Sequence, residues 1–201
     1  MKKMKFNLVA LSFLLLSCGS VNNEQAAAIA NQLDSALAGN SAIEEENSIP
    51  EEGDLFTSKD GKFKINFSGT PTESSDIVPT EVGNIEMTSF MYEKSATEAY
   101  MVAYNDYPSE MVKNSSVDDL LDGAKNGSSS SLGITQFDID KKMEIEGNPG
   151  RHFKGTNGAY YAEYKLFLKG NRLYQIALIR DGSYATPERA EAFFGSFALT
   201  E

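Results

Sequence analysis

Between Lys62 and Ile179 apolar and polar residues alternate repeatedly, with one stretch of helical period among them. That pattern predicts a half-buried sheet that needs helices to cover it. Lys62–Phe67 places Phe63, Ile65 and Phe67 on one face, directly after the turn dipeptide Asp60-Gly61. Asn84–Tyr92 and Glu98–Asp106 read as a hairpin joined by Lys94–Thr97, with Tyr100, Val102 and Tyr104 on one side. Further on, Phe137, Ile139, Met143 and Ile145 alternate with Asp138, Asp140, Glu144 and Glu146. The run Gly147-Asn148-Pro149-Gly150 then predicts a turn into a strand through His152. Asn157-Gly158 reads as a tight turn into Tyr160–Leu168, and Gly170-Asn171 as another into Leu173–Ile179. The last of these strands is apolar on both faces, which predicts a central place in the sheet.

Two segments carry the helical period. Val117, Leu120, Leu121 and Ala124 fall at i, i+3, i+4 and i+7 behind Ser116 as N-cap, with Asp118 and Asp119 in the first turn. Gly127 reads as the end of that helix and Ser128–Ser131 as an exposed loop. Near the C-terminus Thr186 caps a helix that starts at Pro187, and Ala190, Phe193, Phe194 and Phe197 form its apolar stripe. Strands, a helix, a four-stranded meander and a helix predict an α+β fold, an antiparallel β-sheet covered by helices.

The beginning of the chain has a different character. A basic opening with Lys2, Lys3 and Lys5 leads into an apolar run, Leu8–Leu16, then Ser17 and Cys18. This is the layout of a secretory signal. Nine apolar residues are too few for a membrane span, which takes about 20. Cys18 is the chain's one cysteine, so neither a disulfide nor a thiol nucleophile is available to the folded part. Stability must come from an apolar core, which roughly 150 residues are enough to build.

Leu15-Leu16-Ser17-Cys18 resembles the lipobox of bacterial lipoproteins. The resemblance implies cleavage after residue 17, acylation of Cys18 (palmitate among its chains) and attachment to a lipid bilayer. One chain alone binds only marginally, so the two or three implied chains matter. Gly19 is not the acidic residue of inner-membrane retention signals, which implies an outer membrane where a cell has two. Removal of residues 1–17 takes away three lysines and moves the formal charge from −11 to −14. Such a domain is repelled by nucleic acid and by anionic headgroups alike, so membrane contact runs through the lipid.

Residues 18–53 are rich in Ala, Asn, Ser and Glu, with acidic runs at Glu44–Glu46 and Glu51–Glu52, and predict a flexible spacer. Its 35 residues from Gly19 to Gly53 reach on the order of 30 Å. Ile29, Leu33 and Leu37 permit a short helix over Ala26–Ala38. Asp34-Ser35-Ala36 resembles a short bacterial O-glycosylation signal. The division expected is thus a signal at 1–17, a tether at 18–53 and one folded domain at 54–201.

Within that domain, Phe63-Lys64-Ile65-Asn66-Phe67-Ser68-Gly69-Thr70-Pro71, Tyr107-Pro108, Gly147-Asn148-Pro149-Gly150-Arg151 and Gly170-Asn171-Arg172-Leu173-Tyr174 resemble the PsbP/Mog superfamily, including its DcrB-like envelope lipoproteins. The resemblance covers Leu55 to Leu199 and implies an α/β/α sandwich. It also implies binding or assembly in place of a reaction, because members are mostly non-catalytic.

Material for catalysis is sparse. His152 is the one histidine, and no Gly-x-Ser-x-Gly elbow, His-Glu-x-x-His pair or P-loop is present. Asp138, Asp140, Glu144 and Glu146 fall on one strand face by parity, which would let two carboxylates share a metal, although Lys142 interrupts the row and a wet outer face explains them as well. Arg151, Arg172 and Tyr174 are the candidates for an anion or peptide groove. Three functions follow in order: a tethered, non-catalytic binding or assembly module with an envelope protein partner, a small-ligand carrier with a pocket between the sheet and the Phe193/Phe194 helix, and a metal-dependent envelope enzyme. No cofactor is expected.

Overall fold

A computed structural model describes residues 55–80 and 83–201, so the signal, Cys18 and the tether lie outside the described residues. The elements in chain order are β1 (Phe56–Ser58), β2 (Phe63–Ile65), β3 (Thr72–Thr80), β4 (Gly83–Ser95), β5 (Glu98–Asp106), α1 (Ser109–Asn114) and α2 (Val117–Ser131). They continue as β6 (Gln136–Ile145), β7 (Asn148–Thr156), β8 (Tyr160–Lys169), β9 (Arg172–Asp181), α3 (Pro187–Phe194) and β10 (Ala198–Leu199). Seven strands form an antiparallel sheet in the order β3-β4-β5-β9-β8-β7-β6, and β1, β2 and β10 form a small second sheet. The chain is an α+β fold, mostly antiparallel sheet with helical cover. Among the described residues no helix is long and apolar enough to cross a membrane.

Alternation in β5 and β9 gives the large sheet two apolar faces. Met101, Ala103, Leu173, Ala177 and Ile179 point to one side and pack with Leu120, Leu121 and Ala124 of α2. Tyr100, Val102, Tyr174, Ile176 and Leu178 point to the other and meet α3 and the small sheet. The second face is dominated by rings: Tyr100 lies 4.8 Å edge-on from Phe193, and Phe167 stacks on Tyr174 at 4.7 Å. Each such ring, buried, contributes up to about 3 kcal/mol.

Hydrogen bonds fix the small sheet to the large one. The Tyr174 hydroxyl donates to the Gly61 carbonyl at 2.8 Å, and Arg172 Nη1 donates to the Asp60 carbonyl at 2.6 Å. Helix starts follow the caps read from sequence: Ser116 Oγ accepts from Asp119 N at 3.1 Å, and Thr186 Oγ1 from Arg189 N at 3.4 Å.

Several boundaries differ from the sequence reading. α2 does not end at Gly127 but runs to Ser131, because three serine hydroxyls turn back onto the helix: Ser128 to the Ala124 carbonyl, Ser129 to Lys125 and Ser131 to Ser128. These bonds satisfy hydroxyls that otherwise compete with the helix. The β6–β7 turn is Glu146-Gly147 alone, with φ of 51° and 74°, and Asn148-Pro149-Gly150 already belongs to β7. Positive φ at both positions is the hairpin geometry that matches strand twist. Pro149 is tolerated there because β7 pairs with β8 only from Gly150 onward.

Phe197 lies beyond the end of α3, yet its ring still stacks on Phe63 at 5.7 Å. β1, β3, β10 and the short helix α1 had no counterpart in the sequence reading. β3 is a polar edge strand containing Pro79, held by hydroxyl pairs Ser74–Ser89 at 2.9 Å and Ser75–Thr88 at 3.1 Å.

Candidate functional site

The residues proposed from sequence do not converge. Arg151 lies on the α2 side of the sheet, where it forms ion pairs with Asp140 and with Asp122 at 2.8 Å. Arg172 lies on the opposite side, bonded to both carboxylate oxygens of Asp106 at 2.7 Å and stacked 4.6 Å over Tyr104. Tyr174, two residues along β9, has its hydroxyl committed to Gly61. Arg172 and Tyr174 are therefore neighbours, and Arg151 is not.

The carboxylate row is broken by a bulge. Phe137 pairs with Gly155 and Ile139 with Lys154, so the register slips at Asp138. Asp138 accepts from the Tyr184 hydroxyl at 2.6 Å, whereas Asp140 accepts from Lys125 of α2 at 2.8 Å and from Arg151. The hydrogen bond from Arg151, opposed by burial and aided by Lys125, holds the Asp140 carboxyl down to about 2. Glu146 accepts from the Leu199 amide at 2.9 Å at the far end of the strand. The expected single face of four carboxylates does not form. Among the described residues no group of three or more His, Cys, Asp or Glu is placed to hold a metal ion.

His152 is one of three residues in a compact cluster, its Nε2 2.7 Å from Glu163 Oε1, with Lys154 Nζ at 2.8 Å from the other oxygen. Burial pushes the Glu163 carboxyl up, but hydrogen bonds from His152 and Lys154 outweigh it and hold the group below its usual value. A second cluster surrounds Glu98, whose Oε2 lies 2.8 Å from Arg189 and 3.0 Å from Arg180, while Tyr100 donates to Oε1. Burial first, and Glu98 second, push the Tyr100 hydroxyl well above its ordinary range.

The pocket expected beneath the Phe193/Phe194 helix is filled. Phe193 is 1 % exposed and touches Phe67, Tyr100 and Phe194 ring to ring. A cavity of about 50 Å³ lies on the other face, between the sheet and α2. Its helical wall is Ala124, Gly127, Ser128 and Ser131, at i, i+3, i+4 and i+7. This stripe continues the one that starts with Leu120 and Leu121, but the side chains shrink along the helix. Large residues close the sheet-to-helix gap at one end of α2, and small ones leave it open at the other.

Across the gap, β5 presents Met101, Ala103 and Asn105, and β9 presents Gln175. Ser128 Oγ donates to Gln175 Oε1 at 2.7 Å. Asn105 is 5 % exposed, and its Nδ2 is buried with no hydrogen-bond partner. Asp122 Oδ1 and Arg180 Nε also lack an aligned hydrogen bond, but each sits within ion-pair distance of an opposite charge. Asn105 Nδ2 is thus a buried side-chain donor with neither kind of partner. Beside it Tyr107 is buried, and burial pushes its hydroxyl up to about 12.

Sequence reasoning passed over Asn105, Gln175, Ser128 and Ser131. A signal was present: Asn105 takes the core-facing position after Ala99, Met101 and Ala103, where alternation calls for an apolar residue.

No family model matches the chain, and no curated protein matches it. Among solved structures it is similar to a protein from Bacteroides thetaiotaomicron, determined at 1.50 Å, with a TM-score of 0.44 and 14 % identity. The alignment covers 75 % of this chain and 50 % of that one, so the chain spans half the length of the protein it matches.

Proposed function

We propose that the chain is a lipoprotein of the cell envelope, tethered through acylated Cys18, whose PsbP/Mog-like domain acts as a non-catalytic binding or assembly module. The tether reading rests on the basic, apolar and Ser17-Cys18 sequence at the start of the chain. The sandwich reading is supported by helices α1 and α2 on one face of the large sheet, and α3 with the small sheet on the other.

One observation carries the binding reading. The charged or titratable candidates His152, Arg151, Asp140 and Arg172 are each held in ion pairs: His152, with Lys154, to Glu163, Arg151 to Asp140 and Asp122, Arg172 to Asp106. Such pairs stabilise a scaffold, and none of these side chains lines the cavity beneath α2. The module then works by presenting its surface at the end of a spacer, in the outer membrane where a cell has two.

Two measurements test the proposal. Processing of the chain should stop with globomycin, and a Cys18→Ala protein should leave the membrane fraction. Continued membrane attachment of that variant sinks the tether. Crosslinking in native membranes followed by mass spectrometry should then recover a specific envelope protein, and recovery of none counts against the module.

A further inference from the structure

On the face of the large sheet that carries α3, the apolar cover lies mainly over β4, β5 and β9. Toward β6 the face is open: Lys141 is exposed, and His152, Lys154 and Lys165 are half-buried. Strand register sets three basic side chains abreast there, Lys141 opposite His152 and His152 opposite Lys165. Like charges directly opposite one another weaken a sheet, so a row of this kind calls for anions. The acids on the same face are already engaged. Glu163 is shared by His152 and Lys154, and Asp138 accepts from Tyr184. Lys165 lies 4.8 Å over the Phe194 ring, which holds the ammonium without neutralising it. Among the described residues neither Lys141 nor Lys165 has an ion pair. Strands lie about 4.8 Å apart, so the two lysines flank His152 about 10 Å from each other.

We infer that this open face is the docking site of the acidic run Glu44–Glu46 of the chain's own tether, whose carboxylates pair with Lys141 and Lys165. Charge selects the segment, because residues 19–54 hold eight acids and no base, and three of the acids are consecutive at Glu44–Glu46. Position selects it too. The tether joins the domain beside β1, whose sheet packs on this same face, and the Leu199 amide of that sheet donates to Glu146 at the end of the Lys141 hairpin. Glu46 is nine residues from Leu55, a span of up to about 30 Å when extended, which is enough to cross from the small sheet to β6. Each exposed ion pair is weak. Attachment raises the local concentration of the run to the order of millimolar, so weak pairs suffice within one chain where they would not hold a separate peptide. The run then covers the face in the free protein, and an acidic partner must displace it.

The inference rests on neither the acylated anchor nor the recovery of a partner, because its test reads contacts within one chain. A carbodiimide, which joins an ammonium to a carboxylate in direct contact, is applied to the full chain in detergent at low salt, and the coupled peptides are mapped by mass spectrometry. Glu44–Glu46 should couple to Lys141 and Lys165 at least about tenfold more than to Lys62 and Lys169, which are exposed and, among the described residues, equally without ion pairs. The preference should disappear in roughly 1 M salt, where the Debye length is about 3 Å. When Glu44→Gln, Glu45→Gln and Glu46→Gln are combined, the backbone amides of Lys141, His152 and Lys165 should shift in proton–nitrogen spectra while those of α2 stay in place.

Equal coupling to Lys62 and Lys169 overturns the inference, since it describes a tether that samples the whole surface. Coupling found only between separate molecules assigns the row to a second copy's tether and overturns it as well. So does a row whose amides are unmoved in the triple variant.

Discussion

Replacing Asn105 by leucine should make the protein more stable, which is unusual for a substitution in the middle of a core. A buried donor left without a partner costs about 1–3 kcal/mol, because it gave up water and received nothing. Leucine has no such group and is favoured over asparagine in strands. Its extra volume ordinarily costs about 1–3 kcal/mol by overpacking, but here about 50 Å³ of adjoining space is free to receive it. The net expectation is a gain of about 2 kcal/mol. For a domain of this size that raises Tm by roughly 4–8 °C.

Urea unfolding followed by circular dichroism measures the gain directly, with an unchanged m value showing that the unfolded state is not the cause. Asn105→Ala supplies the control: it also removes the orphan amide, fills nothing, and should be close to neutral. Destabilisation of both variants by about 1 kcal/mol or more would refute the reasoning, since it would mean that the amide has a partner in the folded chain.

Three further outcomes follow from the packing. Glu98→Leu strips Arg180 and Arg189 of a carboxylate that is 4 % exposed, and should cost about 3 kcal/mol in the same urea assay; a loss under about 1 kcal/mol would show that the two guanidinium groups are satisfied elsewhere. Asp140, held down to about 2 against an ordinary 3.8, contributes stability that is fully present above the ordinary value and lost as pH falls from there toward about 2. Asp140→Asn should therefore flatten the acid limb of the stability profile, and an unchanged slope would contradict the Arg151 and Lys125 contacts. Gly150→Ala drives a Cβ into the Leu166 carbonyl of the neighbouring strand and should destabilise by about 2 kcal/mol in thermal melts, whereas a neutral result would mean that β7 and β8 can separate locally.

Much of this architecture was legible as period. The hairpin of β4 and β5, the meander from β6 to β9 and the central place of β9 follow from alternation and from turn dipeptides such as Asn157-Gly158, where Asn157 Oδ1 accepts from the amides of Ala159 and Tyr160. β3 was illegible because an edge strand need not be apolar, and its Ser74 and Ser75 pair with hydroxyls across the ladder where sequence suggests solvent. The carboxylates were misplaced for a sharper reason. Parity counts hold only while the register holds, and one bulged residue at Asp138 reverses the face of what lies on either side of it.

The serine run and the cavity have one cause. Gly127 and Ser128–Ser131 look like a loop because small, polar residues usually end a helix, and that composition also keeps the second half of α2 from filling the space above β5. Had this turn carried leucines, the helix end would have been plain from the sequence and the gap would be closed. A chain that forgoes apolar burial over a full helical turn and also places an amide on the core side of the strand beneath it loses stability twice at one spot.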